Sequence, residues 1–373
     1  MTIEAMGAVV ERVGADVRVE PILVEDPGPG EVRVRVTANG ICHSDHWAIR
    51  HGNWGSPFPM LLGHEGAGTV EAVGPGVDGL EPDQPVLLAW AVPCGTCRTC
   101  RRGEPRRCAH EWIQPPRIRV ARTGEPLVGT LSLGSLATHT VVHAAQVVPL
   151  PADVDPTPAC LLGCGVSTGV GAAVNTARVR EGETVAVVGL GGIGLAALQG
   201  ARIAGAARVI AVDLVRGKLE LAMRLGATDV VDASRTDPVA TVRGLTGGEG
   251  VDASFEATGN ASVVAQAVAM LARSGRAVAI GVPAPASEIT LAWGEGPDGA
   301  AYPNKATLLV TDGGDPIPAK DFPAWIDWFR DGRLDLDAMV SRVVGFTEDE
   351  LDDAFRAMLA GEVIRTVVRL DAA

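Results

Sequence analysis

A short apolar strand candidate, Thr184-Val-Ala-Val-Val188, runs straight into Gly189-Leu-Gly-Gly-Ile-Gly194, and a helix-like segment follows from Ile193 to Ala204. The spacing G-x-G-x-x-G alone says little in a chain with 46 glycines. Between a strand and a helix it demands a βαβ unit with a tight, close-approach turn. The next strand candidate, Arg208 to Asp213, ends in an acidic residue 24 positions after Gly189. Further strand candidates follow at Asp229–Val231, Val251–Glu256, Arg276–Ile280 and Lys305–Val310, with helical stretches at 216–225, 237–245 and 261–273 between them. Six buried strands separated by helical crossovers are what a doubly wound parallel sheet requires. Such a sheet binds a dinucleotide at this turn. Gly189, Gly191, Gly192, Ile193 and Gly194 let the backbone and the helix N-terminus approach the pyrophosphate. Asp213 can accept hydrogen bonds from the adenosine ribose hydroxyls. Its charge would repel a 2′-phosphate, which favours NAD over NADP. Arg216, close by, weakens that exclusion slightly.

The first 150 residues read differently. Glu31-Val-Arg-Val-Arg-Val36 alternates polar and apolar after the turn punctuation Pro27-Gly-Pro-Gly30, as a half-buried strand would. Residues 63–73 and 84–90 continue in this short-strand, glycine-turn style. The tail is helical at 321–331 and 347–360 and ends in a strand-like 364–370. A length of 373 residues suggests two domains, and 47% hydrophobic residues can fill sizeable cores. No apolar run approaches the ~20 residues that span a bilayer. The formal charge of −13 disfavours nucleic acid and anionic membranes as partners. The N-terminus lacks a basic region followed by a long apolar stretch, so no secretory signal is expected.

Seven cysteines are present, and four of them, Cys94, Cys97, Cys100 and Cys108, share one short stretch with the spacing C-x2-C-x2-C-x7-C. Four thiolates on a tight loop suit tetrahedral Zn²⁺ and leave no position for substrate, so the site reads as structural. Disulfides would need an oxidising compartment. An iron–sulfur cluster is the other alternative, but those patterns usually place the fourth ligand differently. Cys42 lies in Gly40-Ile-Cys-His-Ser-Asp45, His64 in Gly63-His-Glu-Gly-Ala-Gly68, and Cys164 in Leu161-Leu-Gly-Cys-Gly-Val-Ser-Thr-Gly169. Two thiolates and an imidazole would leave a fourth zinc position open. Nothing in their spacing brings these residues together.

The segments GICHSD, GHEGAG, the four cysteines, LLGCGVSTG, GLGGIG and IRT occur in this order almost end to end, and in this the chain resembles the zinc-containing medium-chain alcohol dehydrogenase family. LLGCGVSTGVGAAVNTA resembles most the branch of mycothiol- and glutathione-dependent formaldehyde dehydrogenases and related actinobacterial alcohol dehydrogenases. The resemblance implies a GroES-like β-rich catalytic domain over residues 1–157 carrying the zinc lobe, a Rossmann NAD-binding domain over 158–311, and a return to the catalytic domain over 312–373. It implies a catalytic zinc on Cys42, His64 and Cys164. Glu65 belongs to this metal set, and both it and Asp45 tune the ligands. Ser44 takes the proton of the alcohol. His43 and Arg365 contact the cofactor pyrophosphate, and Lys218 supports the ribose beside Asp213. Cys160 fits no family role and reads as a buried apolar thiol. The implied enzyme is a cytoplasmic homodimer, paired through the last Rossmann strand, that moves hydride between NAD(H) and a small alcohol or aldehyde. Narrower or different readings are an S-(hydroxymethyl)mycothiol-type dehydrogenase, a biosynthetic reductase of a conjugated carbonyl or iminium, and a non-catalytic zinc or nucleotide-binding scaffold.

One departure from the family pattern concerns the proton path. Members with a full relay commonly carry His five residues after the first ligand cysteine. Trp47 stands there instead, with His46 before it and His51 beyond. Trp47, Trp54, Trp112 and Trp293 are candidate pocket walls. Arg117, Arg119 and Arg122, on the long connector 111–126, either bind an anionic thiol conjugate or belong to a solvated lobe; the lobe is the preferred reading.

Overall fold

A computed structural model describes residues 2–52, 58–108, 116–291 and 305–370. Trp54, Trp112 and Trp293 lie outside the described residues. The chain opens with strands β1 (Ile3–Val10), β2 (Arg18–Val24) and β3 (Glu31–Gly40), then helix α1 (His43–His51). Next come β4 (Met60–Leu61), β5 (Gly66–Val73), β6 (Pro85–Leu88), the single-turn α2 (Arg98–Arg101), β7 (Ile118–Val120), β8 (Pro126–Gly129), β9 (His139–His143) and β10 (Val147–Pro149). Short helices α3 (Pro156–Ala159) and α4 (Gly165–Gly171) lead into β11 (Thr184–Val188), α5 (Gly192–Ile203), β12 (Arg208–Asp213), α6 (Arg216–Arg224), β13 (Asp229–Asp232) and α7 (Pro238–Leu245). Then follow β14 (Val251–Glu256), α8 (Ala261–Ala269), β15 (Leu271–Ala279), β16 (Thr307–Val310), α9 (Pro318–Arg330), β17 (Val340–Val344), α10 (Glu348–Leu359) and β18 (Arg365–Arg369).

Two compact units result. The first takes Met1–Cys164, Ile317–Arg330 and Leu336–Ala373, and the second takes Gly165–Pro316 and Asp331–Asp335. The first crossing therefore lies after Cys164 rather than after residue 157, because the 3₁₀ turn Cys160–Gly163 packs on β3, β5 and β6. The second lies after Pro316 rather than after 311. Asn175 Nδ2 donates to the carbonyls of Gly314 and Asp315, and the hydroxyl of Thr176 bonds Thr311 and Asp315, which keeps 311–315 with the second unit. Residues 331–335 join it through Gln199, whose side chain bonds both backbone groups of Asp335.

The first unit contains a closed barrel, β1-β2-β7-β8-β4, and a sheet ordered β10-β6-β5-β3-β18-β17, with β9 on β3. Strand β3 departs from a half-buried pattern. Its first half runs beside β5 and β9, and Glu31 and Arg33 are buried there along with the valines. Each is compensated: Arg33 bonds Asp26 at 2.9 Å and Glu71 at 2.5 Å, and Arg117 donates to Glu31 at 2.7 Å.

The second unit is a six-stranded parallel sheet, β13-β12-β11-β14-β15-β16. The order reverses between β11 and β14, which is where such sheets bind ligands. Its core is aliphatic, built on Ala186, Ile210, Val212, Val242 and Val268. Three expectations need correction. The helix expected over 261–273 ends at Ala269, because Leu271 already pairs with Val251 ahead of a register shift in β15. The last strand starts at Thr307 rather than Lys305, whose φ of 52° is not extended. That strand is also an edge and not buried: Val310 is 78% exposed.

Candidate functional site

The candidate metal centre begins where β3 ends. Cys42 takes an extended conformation at the position before α1, and Asp45 falls in the first turn of that helix, where its charge suits the helix dipole. The loop between β4 and β5 brings in His64 and Glu65. Gly63 makes this loop possible: its φ is +96°, and a Cβ there would lie 2.1 Å from the backbone nitrogen of Leu136. Its N–H donates to Asp45 Oδ1 at 3.0 Å. Cys164 arrives from the 3₁₀ turn. One ligand atom each from Cys42, His64, Glu65 and Cys164 lies within 4.8 Å of all the others, and all four residues are buried.

The electrostatics suit a cation. His64 Nδ1 lies 3.1 Å from Asp45 Oδ1, while Nε2 is buried with no hydrogen-bond partner among the described residues. A ligating imidazole has this arrangement, one nitrogen held by a carboxylate and the other left for metal. Burial opposes protonation of His64, yet Asp45 and Cys42 carry it well above its ordinary range. Hydrogen bonding from Cys164 holds Cys42 well below the usual thiol range, and the same bond together with burial raises Cys164. Burial pushes Glu65 up to about 7 against the pull of Arg365, whose guanidinium bonds Glu65. Arg365 is only 6% exposed and is thus engaged with Glu65, not displayed at the surface. Cys160 is buried and donates to the Thr157 carbonyl at 3.1 Å, as an inert core thiol does.

The four-cysteine loop is assembled by backbone N–H···S bonds: Cys97 N to Cys94 Sγ, Cys100 N to Cys97 Sγ, and Cys94 N to Cys108 Sγ. Cys108 Sγ lies 3.7 Å from Cys94 Sγ and 3.8 Å from Cys97 Sγ. A tetrahedron with Zn–S bonds of ~2.3 Å has edges of about 3.8 Å. The hydroxyl of Thr99 lowers Cys97 to about 5, whereas burial and its neighbour Cys97 raise Cys100 to about 12. Arg106 ties the lobe to α9 through a two-pronged bond to Asp321.

On the second unit, Gly189 leaves β11 with φ +89°, and Gly191 to Gly194 open α5. No side chain caps that helix, so its first-turn N–H groups are available to an anion. Asp213 Oδ2 accepts from Leu190 N at 2.7 Å, and Oδ1 accepts from Val215 N at 2.9 Å. The acidic residue therefore braces the glycine turn. Lys218 is half-buried in the first turn of α6. Arg216 is occupied by Glu220 at 2.9 Å.

Helix α1, which the sequence does not announce, carries the candidate proton path. Ser44 Oγ is 3.7 Å from Cys42 Sγ. His43 is exposed and His46 half-buried, and burial, then the charges of Arg50, His43 and His51, lower His46. The exposed His51 ring lies 5.0 Å from the ring of Trp47. The connector arginines are taken up by carboxylates: Arg117 by Glu25 and Glu31, Arg119 by Glu25, and Arg122 by Glu11 and Glu20. That supports the solvated lobe over an anion site. No single helix among the described residues is long and apolar enough to cross a membrane.

Comparisons with known proteins agree with this geometry. Residues 28–152 match the alcohol dehydrogenase GroES-like domain and residues 192–329 the zinc-binding dehydrogenase family. The chain is 35% identical to an S-(hydroxymethyl)glutathione dehydrogenase of Escherichia coli O1:K1, covering 98% of this chain and 100% of that one. Among solved structures, an alcohol dehydrogenase zinc-binding domain protein from Burkholderia ambifaria superposes with a TM-score of 0.90 at 31% identity, covering 99% and 100% of the two chains. Benzyl alcohol dehydrogenase from Acinetobacter calcoaceticus gives 0.88 at 30% identity, covering 99% of each.

Proposed function

The chain belongs to the zinc-containing alcohol dehydrogenase family and is a zinc-dependent oxidoreductase, and on that premise we propose that it interconverts a primary alcohol and its aldehyde with NAD(H). The observation that carries this is the buried set Cys42, His64, Glu65 and Cys164, with His64 Nε2 left without a hydrogen-bond partner among the described residues. Two thiolates and an imidazole are soft and borderline donors that suit zinc. When bound, zinc supplies a Lewis acid for the substrate oxygen, and NAD supplies the hydride acceptor.

The chain's own residues do the rest. Asp45 fixes the tautomer and orientation of His64. Arg365 balances the charge of buried Glu65. Ser44, two residues from Cys42, takes the alcohol proton at Oγ. Trp47 cannot pass it on, since an indole N–H only donates; His46 or His51 delivers it to solvent. Asp213 sets preference for NAD, with Lys218 beside it, and His43 meets the pyrophosphate. The unit order and the exposed edge β16 suit a homodimer joined edge to edge. Seven cysteines without a disulfide suit the cytoplasm.

A thiol-adduct substrate is the second reading, favoured by the name of the E. coli relative. The test is NADH formation by zinc-loaded protein with a panel of primary alcohols, then with formaldehyde in the presence and absence of mycothiol or glutathione. Turnover of simple alcohols supports the first reading. Formaldehyde oxidation that requires the thiol moves the substrate to the adduct. No NADH from any of them refutes both.

A further inference from the structure

The parallel sheet holds a second carboxylate that no motif singles out. Glu256 ends β14, the strand beside β11 at the point where the strand order reverses. It pairs in register with Val188, the residue before the glycine turn. Glu256 is fully buried. Its Oε1 accepts from Thr258 N at 2.6 Å, from Gly259 N at 2.9 Å and from the Thr258 hydroxyl. These bonds fold residues 257–259 back over the strand end. There Thr258 lies against the first fingerprint glycine: a Cβ on Gly189 would come 2.5 Å from Thr258 Cγ2. The turn is thus braced from two sides, by Asp213 through Leu190 N–H and by Glu256 through Thr258.

Oε1 alone accounts for this brace. The other oxygen, Oε2, is buried and has no hydrogen-bond partner among the described residues. A bare buried carboxylate oxygen is costly, and a fold that only needed to hold Thr258 and Gly259 could use an amide or hydroxyl there. We propose that Glu256 is a positioning residue of the dinucleotide site: Oε1 sets the Gly189 turn through Thr258, and Oε2 accepts a hydrogen bond from an O–H or N–H group that arrives with the dinucleotide. This rests on the reading that the second unit binds NAD.

Glu256→Gln separates the two oxygens. The amide oxygen can keep the bonds of Oε1, while an NH₂ group at Oε2 can no longer accept. Calorimetric titration of the zinc-loaded protein with NAD and with ADP-ribose, beside the melting temperature of dinucleotide-free protein, reads the outcome. The expected result is a Kd for NAD raised about tenfold or more, as loss of one hydrogen bond to a charged acceptor gives, with little change in melting temperature. Equal losses for ADP-ribose place the donor on the ribose or adenine; a loss confined to NAD places it on the carboxamide. KM for NAD should rise with kcat largely kept. Unchanged affinity in Glu256→Gln, with normal binding by wild type, overturns this proposal alone. A lowered melting temperature with unchanged affinity of the folded fraction overturns it too. Wild-type protein that binds no NAD overturns the parent reading and this one together.

Discussion

Asp45 gives the sharpest test of the metal centre, because one buried oxygen does two jobs. Oδ1 accepts from Gly63 N at 3.0 Å and lies 3.1 Å from His64 Nδ1, in a place where Asp45 is 1% and His64 0% exposed. Asp45→Ala would strand two buried donors at a cost of roughly 1–3 kcal/mol each. That change would mix loss of fold with loss of metal. Asp45→Asn keeps an acceptor of the same shape and removes only the charge, so folding should survive. Loss of a partner that orients a ligand typically lowers metal affinity by about 10–100-fold, or ~1.4–2.7 kcal/mol. The assay is zinc transfer to a chelating dye, which should resolve a fast and a slow ion. In Asp45→Asn the fast ion should leave more readily still, and turnover should fall, while the four-cysteine ion is untouched. If both ions leave at wild-type rates and turnover is normal, the Asp45–His64 contact does not tune a metal. If both ions loosen equally, the effect is global and the argument for a local brace fails.

Cys108→Ser should lower the melting temperature and leave one zinc, because the closed site contributes folding free energy, whereas Cys164→Ser should stay folded and be inactive; metal analysis and calorimetry check both. Asp213→Ser should raise the NADP-to-NAD ratio of kcat/KM about tenfold or more by removing a charge repulsion, and should weaken NAD too, since the Leu190 and Val215 N–H groups lose their acceptor; a wild type that already prefers NADP would refute the assignment. Ser44→Ala should cost on the order of 100-fold in turnover with metal content unchanged, as loss of positioned proton transfer does; full activity would remove Ser44 from the proton path. Two hydrogen bonds from Arg208 hold Asp229 below its ordinary 3.8. The folded value lies below the unfolded one, so the pair's contribution is complete above pH 3.8 and lost as pH falls through the folded value. The melting-temperature gap between wild type and Arg208→Gln should therefore close in acid, and a gap that persists there would show that packing, not charge, is at work.

Much of the parallel sheet was legible in the sequence because its signals are local. An apolar strand, a glycine turn and a helix sit side by side at 184–204, and β12 ends on Asp213 as the spacing demands. Where tertiary pairing decides, local reading falters. The helix ending at Ala269 is cut short by Leu271 pairing with Val251, a partner 20 residues away. In β3 the alternation of Glu31-Val-Arg-Val promises a wet face, yet Glu31 and Arg33 are buried there and ion pairs take the place of water. Helix α1 has no apolar period to announce it; Asp45 in its first turn and Arg50 and His51 in its last supply weaker, electrostatic signals.

The candidate site divides the same way. The four-cysteine loop can be read from spacing because its cysteines lie within 15 residues of chain, Cys94 to Cys108, and the structure gathers their sulfurs within 4.8 Å of one another. Cys42, His64 and Cys164 lie on three separate elements, and only the fold brings them within 4.8 Å. What no spacing could supply is the charge balance around them. Arg365, 300 positions from Glu65, is drawn into the interior against a carboxyl that burial would otherwise neutralise. A guanidinium is the side chain suited to that place, since it stays charged when buried and offers a fork of donors. The IRT segment and the GHEG segment are therefore two halves of one electrostatic unit. A change at either end should be felt at the metal through Glu65, even where no ligand is touched.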